Sequence, residues 1–74
     1  MNTKQTRRLC RDFLEMWKGK VFDAPSAASL MRELWGVRVD WHEMAYALDE
    51  MDGCGLADRT GERGPDGMTR YIIN

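Results

Sequence analysis

Gly19, Gly36 and the Gly53-Cys54-Gly55 cluster cut the first 55 residues into three stretches, none with an internal glycine and each with apolar residues at helical spacing. Beyond Gly55 the pattern changes. Met68-Thr69-Arg70-Tyr71-Ile72-Ile73 is β-branched and aromatic, the composition of a strand. Three short helices followed by a hairpin are therefore expected, as one domain over residues 1–74. At this length about 60% of the unfolded surface is buried on folding, so the core must be efficient and a large catalytic cleft has no room.

The first helix is predicted from Thr3 to Lys18. Cys10, Phe13, Leu14 and Trp17 share its apolar face, flanked by Leu9 and Met16, and Gly19 ends it. Lys4, Arg8, Arg11, Glu15 and Lys18 recur on another face, by default a solvated one. Val21-Phe22 is a short extended piece. Asp23 and Ser26 are candidate N-caps and Pro25 a first-turn proline for a second helix that reaches Trp35. That helix is expected to bury Ala27 or Ala28, Leu30, Met31 and Leu34.

After Gly36 and the connection Val37-Arg38-Val39, Asp40 with Glu43 three residues on reads as a variant capping box. Val39 and Met44 occupy the positions of a hydrophobic staple. The third helix, Trp41 to Asp52, is predicted to bury Trp41, Met44, Ala45, Leu48 and Met51. Its outward face is then His42, Glu43, Tyr46, Ala47 and Glu50. Leu56-Ala57-Asp58-Arg59-Thr60 and residues 68–73 form the expected hairpin, joined by the polar loop 61–67 with Pro65-Asp66-Gly67 as turn chemistry. Alternation turns Tyr71 and Ile73 to the core, Arg70 and Ile72 outward.

Helix, short strand, helix, turn, helix and hairpin, in that order, resembles the winged helix-turn-helix family over nearly the whole chain. The residues that carry the resemblance are Ala28-Ser29-Leu30-Met31-Arg32-Glu33-Leu34, Gly36-Val37, Ala47-Leu48, Met51, Gly55-Leu56, Gly67 and Tyr71. It implies a mostly α fold with a small β element: three helices plus a C-terminal β-hairpin, the wing. Small phage and mobile-element proteins of similar size and fold include inhibitors of host defence machinery, such as anti-CRISPR proteins.

Charge is uneven along the chain. Residues 1–20 hold six cations (Lys4, Arg7, Arg8, Arg11, Lys18, Lys20) against Asp12 and Glu15, a balance of +4. Residues 21–54 set Arg32 and Arg38 against seven acids, Asp23, Glu33, Asp40, Glu43, Asp49, Glu50 and Asp52, a balance of −5. Both the basic and the acidic side are candidate binding surfaces.

Other classes find little support. Cys10 and Cys54 stand 44 positions apart, too few for a disulfide framework and without zinc-site spacing. Asp49, Asp52 and Gly53 fail the calcium-loop spacing, with Met51 where an acid is needed and Thr60 at the twelfth position. His42 is the sole histidine, and Glu43 and Glu50 on one exposed face lack the burial that tunes a catalytic pKa. No cofactor, metal, small-molecule substrate or catalytic residue is expected. Neither a membrane span nor a signal peptide is apparent, which with the free cysteines predicts a soluble cytoplasmic protein.

Two functions compete. In winged helices the third helix generally enters the DNA major groove, and a DNA-binding transcriptional regulator would here use Arg7, Arg8 and Arg11 of the first helix and Arg59, Arg63 and Arg70 of the wing. The third helix opposes this, since its outward face offers no Arg or Lys for guanine or phosphate and no Asn or Gln for adenine. The competing expectation is a non-catalytic module in which His42, Glu43, Tyr46 and Glu50 dock on a basic protein surface, Tyr46 as anchor and the acids as steering groups.

Overall fold

Asn2 starts the first helix through a reciprocal pair of hydrogen bonds: the Gln5 N–H donates to Asn2 Oδ1 at 2.9 Å, and the Asn2 N–H donates to Gln5 Oε1 at 3.1 Å. This capping box satisfies two donors that a helix N-terminus otherwise leaves unpaired. In the computed structural model, which describes residues 2–64 and 67–74, it opens α1 (Thr3–Glu15). There follow β1 (Val21–Phe22), α2 (Ala24–Trp35), α3 (Trp41–Gly53), β2 (Ala57–Arg63) and β3 (Thr69–Ile73).

α1 stops at Glu15, three residues before the expected Lys18. Met16 and Trp17 switch to tight i to i−3 bonds with Phe13 and Leu14, and Gly19 follows at φ 83°. The reason is tertiary. Gly19 N–H donates to Ile73 O at 2.6 Å and Ile73 N–H to Lys20 O at 2.9 Å, so the chain must turn early to lay β1 along β3.

Asp23 caps α2 by accepting from the Ser26 N–H at 2.8 Å. Gly36 closes α2 in the left-handed conformation, φ 67°, donating to Arg32 O at 3.0 Å. Asp40 caps α3, but the expected capping box is absent: Asp40 accepts from the His42 N–H at 2.9 Å, and the Glu43 side chain points to Arg7 instead. The His42 N–H, then the His42 ring, hold the Asp40 carboxyl below its usual range.

The sheet is antiparallel in the order β1-β3-β2, with β3 central. Val21 faces Ile72, and Ala57 faces Ile73. β2 begins at Ala57 and runs to Arg63, with an irregularity between Arg59 and Arg63, so Gly61, Glu62 and Arg63 belong to the strand and not to the expected loop. The Pro65-Asp66 part of the predicted turn lies outside the described residues. Tyr71 and Ile73 are buried and Arg70 and Ile72 only half-buried, the alternation the sequence implies.

Cys10, Phe13 and Leu14 of α1, Ala27 and Met31 of α2, and Met44, Leu48 and Met51 of α3 form the core with Tyr71 and Ile73. Each large apolar side chain contributes about 1.5–3 kcal/mol on burial. Three expectations fail here. Leu34 is 55% exposed and Trp41 39% exposed, whereas Ala47, assigned outward, is fully buried. α3 packs against α1, α2 and β2 at once, which rotates its buried arc toward Ala47 and leaves Trp41 at the rim. Ala45 and Leu30, also expected in the core, are half-buried and pack against it. Trp17 is half-buried against Phe13 and Phe22, and Trp35 sets its ring edge-on to Phe13 at 5.1 Å. Among the described residues no helix is long and apolar enough to cross a membrane.

Candidate functional site

The outward face of α3 is not bare. Arg7 reaches across from α1, its Nε 3.1 Å from Glu43 Oε2 and one terminal nitrogen 4.0 Å from Glu50 Oε1. Its guanidinium carbon lies 4.4 Å from the centroid of the Tyr46 ring, a cation–π arrangement. Three residues expected to bind a protein and one expected to bind DNA thus form a single cluster. Tyr46 stays half exposed at 52%. His42 stands apart from that cluster: its ring stacks on Trp41 at 3.8 Å, and Nδ1 lies 2.7 Å from Asp40 Oδ1.

A second cluster joins α3 to the hairpin. Arg59 bridges Asp49 at 2.8 Å and Asp52 at 3.3 Å, and its guanidinium is held more firmly charged, chiefly by the hydrogen bond to Asp49. The Tyr71 hydroxyl donates to Asp49 at 3.4 Å; burial, then the Asp49 charge, raises its pKa. Asp49 and Asp52, weighed above as calcium ligands, hold Arg59 instead.

The remaining arginines of the DNA expectation divide. Arg11 pairs with Glu15 at 3.5 Å and Arg70 with Glu62 at 4.0 Å. Arg63 donates to Gly67 O at 3.3 Å, and Arg8 forms no ion pair among the described residues. Lys4, Arg7, Arg8 and Arg11 line a 620 Å³ groove along α1 with Thr3, Asp12 and Glu50.

Charge along α3 and its cap can now be counted. Glu43 and Glu50 share Arg7, Asp49 and Asp52 share Arg59, so four carboxylates against two guanidiniums leave −2, and Asp40 makes it −3. Internal pairing lowers the acidity from −5 to −3 without abolishing it. Cys10 is fully buried, and burial, with Glu43 adding, pushes its thiol up to about 11. Among the described residues no group of three or more His, Cys, Asp or Glu side chains is placed to hold a metal ion.

Sequence reasoning assigned Trp41 to the core and gave Arg32 and Arg38 no role. All three line a 340 Å³ groove where α2 meets the start of α3. The signal available was weak: Arg38 lies two residues before the Asp40 cap of α3, and Trp41 is the first residue of that helix. No protein-family model, no curated protein and no solved structure matches this chain.

Proposed function

We propose that the chain is a non-catalytic winged-helix binding module whose acidic α3 face docks on a basic protein surface. The observation that carries this reading is the sharing of each guanidinium by two carboxylates. Glu43 and Glu50 leave a negative charge beside the half-exposed Tyr46 even with Arg7 in place. A rigid aromatic between acids suits a surface rich in Arg and Lys, with Tyr46 as the desolvated anchor and the carboxylates guiding encounter. Helix, strand, two helices and a hairpin, with β1 added beside β3, supports the winged-helix assignment. A small protein of this kind could act by covering a nucleic-acid-binding surface, as a phage-type inhibitor of host defence machinery such as an anti-CRISPR does.

The α1 groove favours one second reading, a DNA-binding regulator that holds the phosphate backbone with Lys4, Arg8 and Arg11. A duplex placed on α3 would meet the residual −3, and Arg59 is committed to Asp49 and Asp52. Fluorescence anisotropy of a labelled arginine-rich peptide and a labelled mixed-sequence duplex, each at about 50 and 200 mM salt, separates the two readings. Peptide binding that Tyr46→Ala weakens is the expected result. Duplex binding that survives the higher salt, with no peptide binding, would reject the proposal.

A further inference from the structure

The groove between α2 and the start of α3 has a chemistry opposite to that of the α3 face. Pro25, Ala28, Val39 and Trp41 give it an apolar lining, and Arg32 and Arg38 supply two cations. Among the described residues no carboxylate lines it. Neither arginine forms an ion pair among the described residues, whereas Arg7, Arg11, Arg59 and Arg70 are all paired. Two exposed guanidiniums with no carboxylate partner among the described residues, beside a tryptophan that is 39% exposed, make a surface with unused recognition capacity.

Trp41 is also held in place. The His42 ring stacks on it at 3.8 Å and 24° between planes, and Asp40 fixes that ring from 2.7 Å. An aromatic already fixed by its neighbours loses little conformational entropy when a ligand covers it. The groove volume, 340 Å³, lies at the small end of ligand sites, roomy enough for one large apolar side chain and its adjoining backbone.

We infer that this groove docks a short acidic peptide segment of a partner protein, with an apolar side chain on Trp41 and Val39 and carboxylates on Arg32 and Arg38. The guanidinium fork matches a carboxylate in a bidentate way that an ammonium could not. A nucleic-acid strand fits less well. Its phosphates are continuous, and a strand leaving the groove along α3 meets Asp40 and then the Glu43 cluster, where a peptide can place its charges at the two arginines alone. This site does not depend on the acidic α3 face acting as proposed above, because it uses other residues and the opposite charge.

The test is a nuclear magnetic resonance titration of the full chain, following the Trp41 indole N–H, assigned with Trp41→Phe. Three probes are compared: a capped hexapeptide of two leucines flanked on each side by two glutamates, its glutamine counterpart, and a mixed-sequence single-stranded pentanucleotide. The glutamate peptide is expected to shift the Trp41 signal saturably and the glutamine peptide to bind more weakly. Arg32→Gln and Arg38→Gln should each weaken the glutamate peptide about threefold to fivefold, the range of an exposed ion pair, and both should melt like the parent. Three results would overturn the inference: no Trp41 shift at millimolar peptide, equal binding by both arginine variants, or tighter binding of the pentanucleotide. A Trp41 shift that depends on protein concentration alone would instead assign the groove to a second copy of the chain.

Discussion

Arg7 and Glu43 stand 36 positions apart in sequence and meet at 3.1 Å, tying the first two turns of α1 to the first turn of α3. Their side chains are 33% and 24% exposed, so solvent screens the pair only in part. With the Tyr46 ring beneath the guanidinium, a double-mutant cycle on Arg7→Ala and Glu43→Ala is expected to give a coupling of about 0.5–1 kcal/mol in urea denaturation. Salt should reduce it. Zero coupling at low salt would mean that both side chains extend independently into solvent.

Tyr46→Ala should cost about 2 kcal/mol of affinity for a basic partner surface, about thirtyfold in Kd, if the ring is the buried anchor of the interface. Glu43→Lys with Glu50→Lys reverses two charges around Arg7. That pair should slow association with the partner, remove its salt sensitivity, and create duplex binding that fades with salt. A double variant that loses no partner and gains no DNA affinity would make the α3 face a solvated surface only.

The wing arginines are expected to separate. Arg59→Ala should lower the melting temperature by releasing Asp49 and Asp52 to repel one another, because that guanidinium is engaged in holding them. If the chain does bind duplex DNA, Arg8→Ala and Arg63→Ala should weaken every sequence alike and flatten the salt slope. Sequence discrimination that disappears with Glu43 or Tyr46 would show α3 reading bases after all.

Two glycines at helix ends should respond with opposite sign. Gly36 sits at φ 67° and a Cβ there would meet nothing within 4 Å, so Gly36→Ala carries only the left-handed backbone penalty, about 1–2 kcal/mol of stability. Gly53 ends α3 without a positive φ and its Cβ would also meet nothing within 4 Å, so Gly53→Ala should be neutral or gain up to about 0.5–1 kcal/mol. Chemical denaturation of both variants checks the contrast.

The two thiols should differ sharply toward an alkylating reagent. At pH 8 the native protein is expected to lose one thiol, the exposed Cys54, and the second only when unfolded, because Cys10 is buried and stays protonated. Folding favours the neutral Cys10 thiol, so its contribution to stability is complete below the ordinary value of 9.0 and is lost as pH rises from there to about 11. A Cys10→Ala variant should flatten that alkaline limb.

The sequence by itself determined the order and type of the elements and most of their boundaries, though not the end of α1 at Glu15 or the reach of β2 to Arg63. Asp23 with Pro25, Gly36, Asp40 and Gly55 mark boundaries by local backbone chemistry, and alternation alone turned Tyr71 and Ile73 inward, since each signal acts within a few residues of its cause. Asn2 and Gln5 carried an equally local signal for the start of α1. Tertiary structure decided which faces are free. Trp41 and Ala47 exchanged places relative to the apolar pattern because α3 is wedged between α1, α2 and β2, and that three-sided packing, not residue hydrophobicity, selects the arc that is buried. The same packing brought Arg7 to Glu43 and Arg59 to Asp49, and left Arg32 and Arg38 without an acidic partner among the described residues; no sequence period encodes pairings that depend on how separate elements cross.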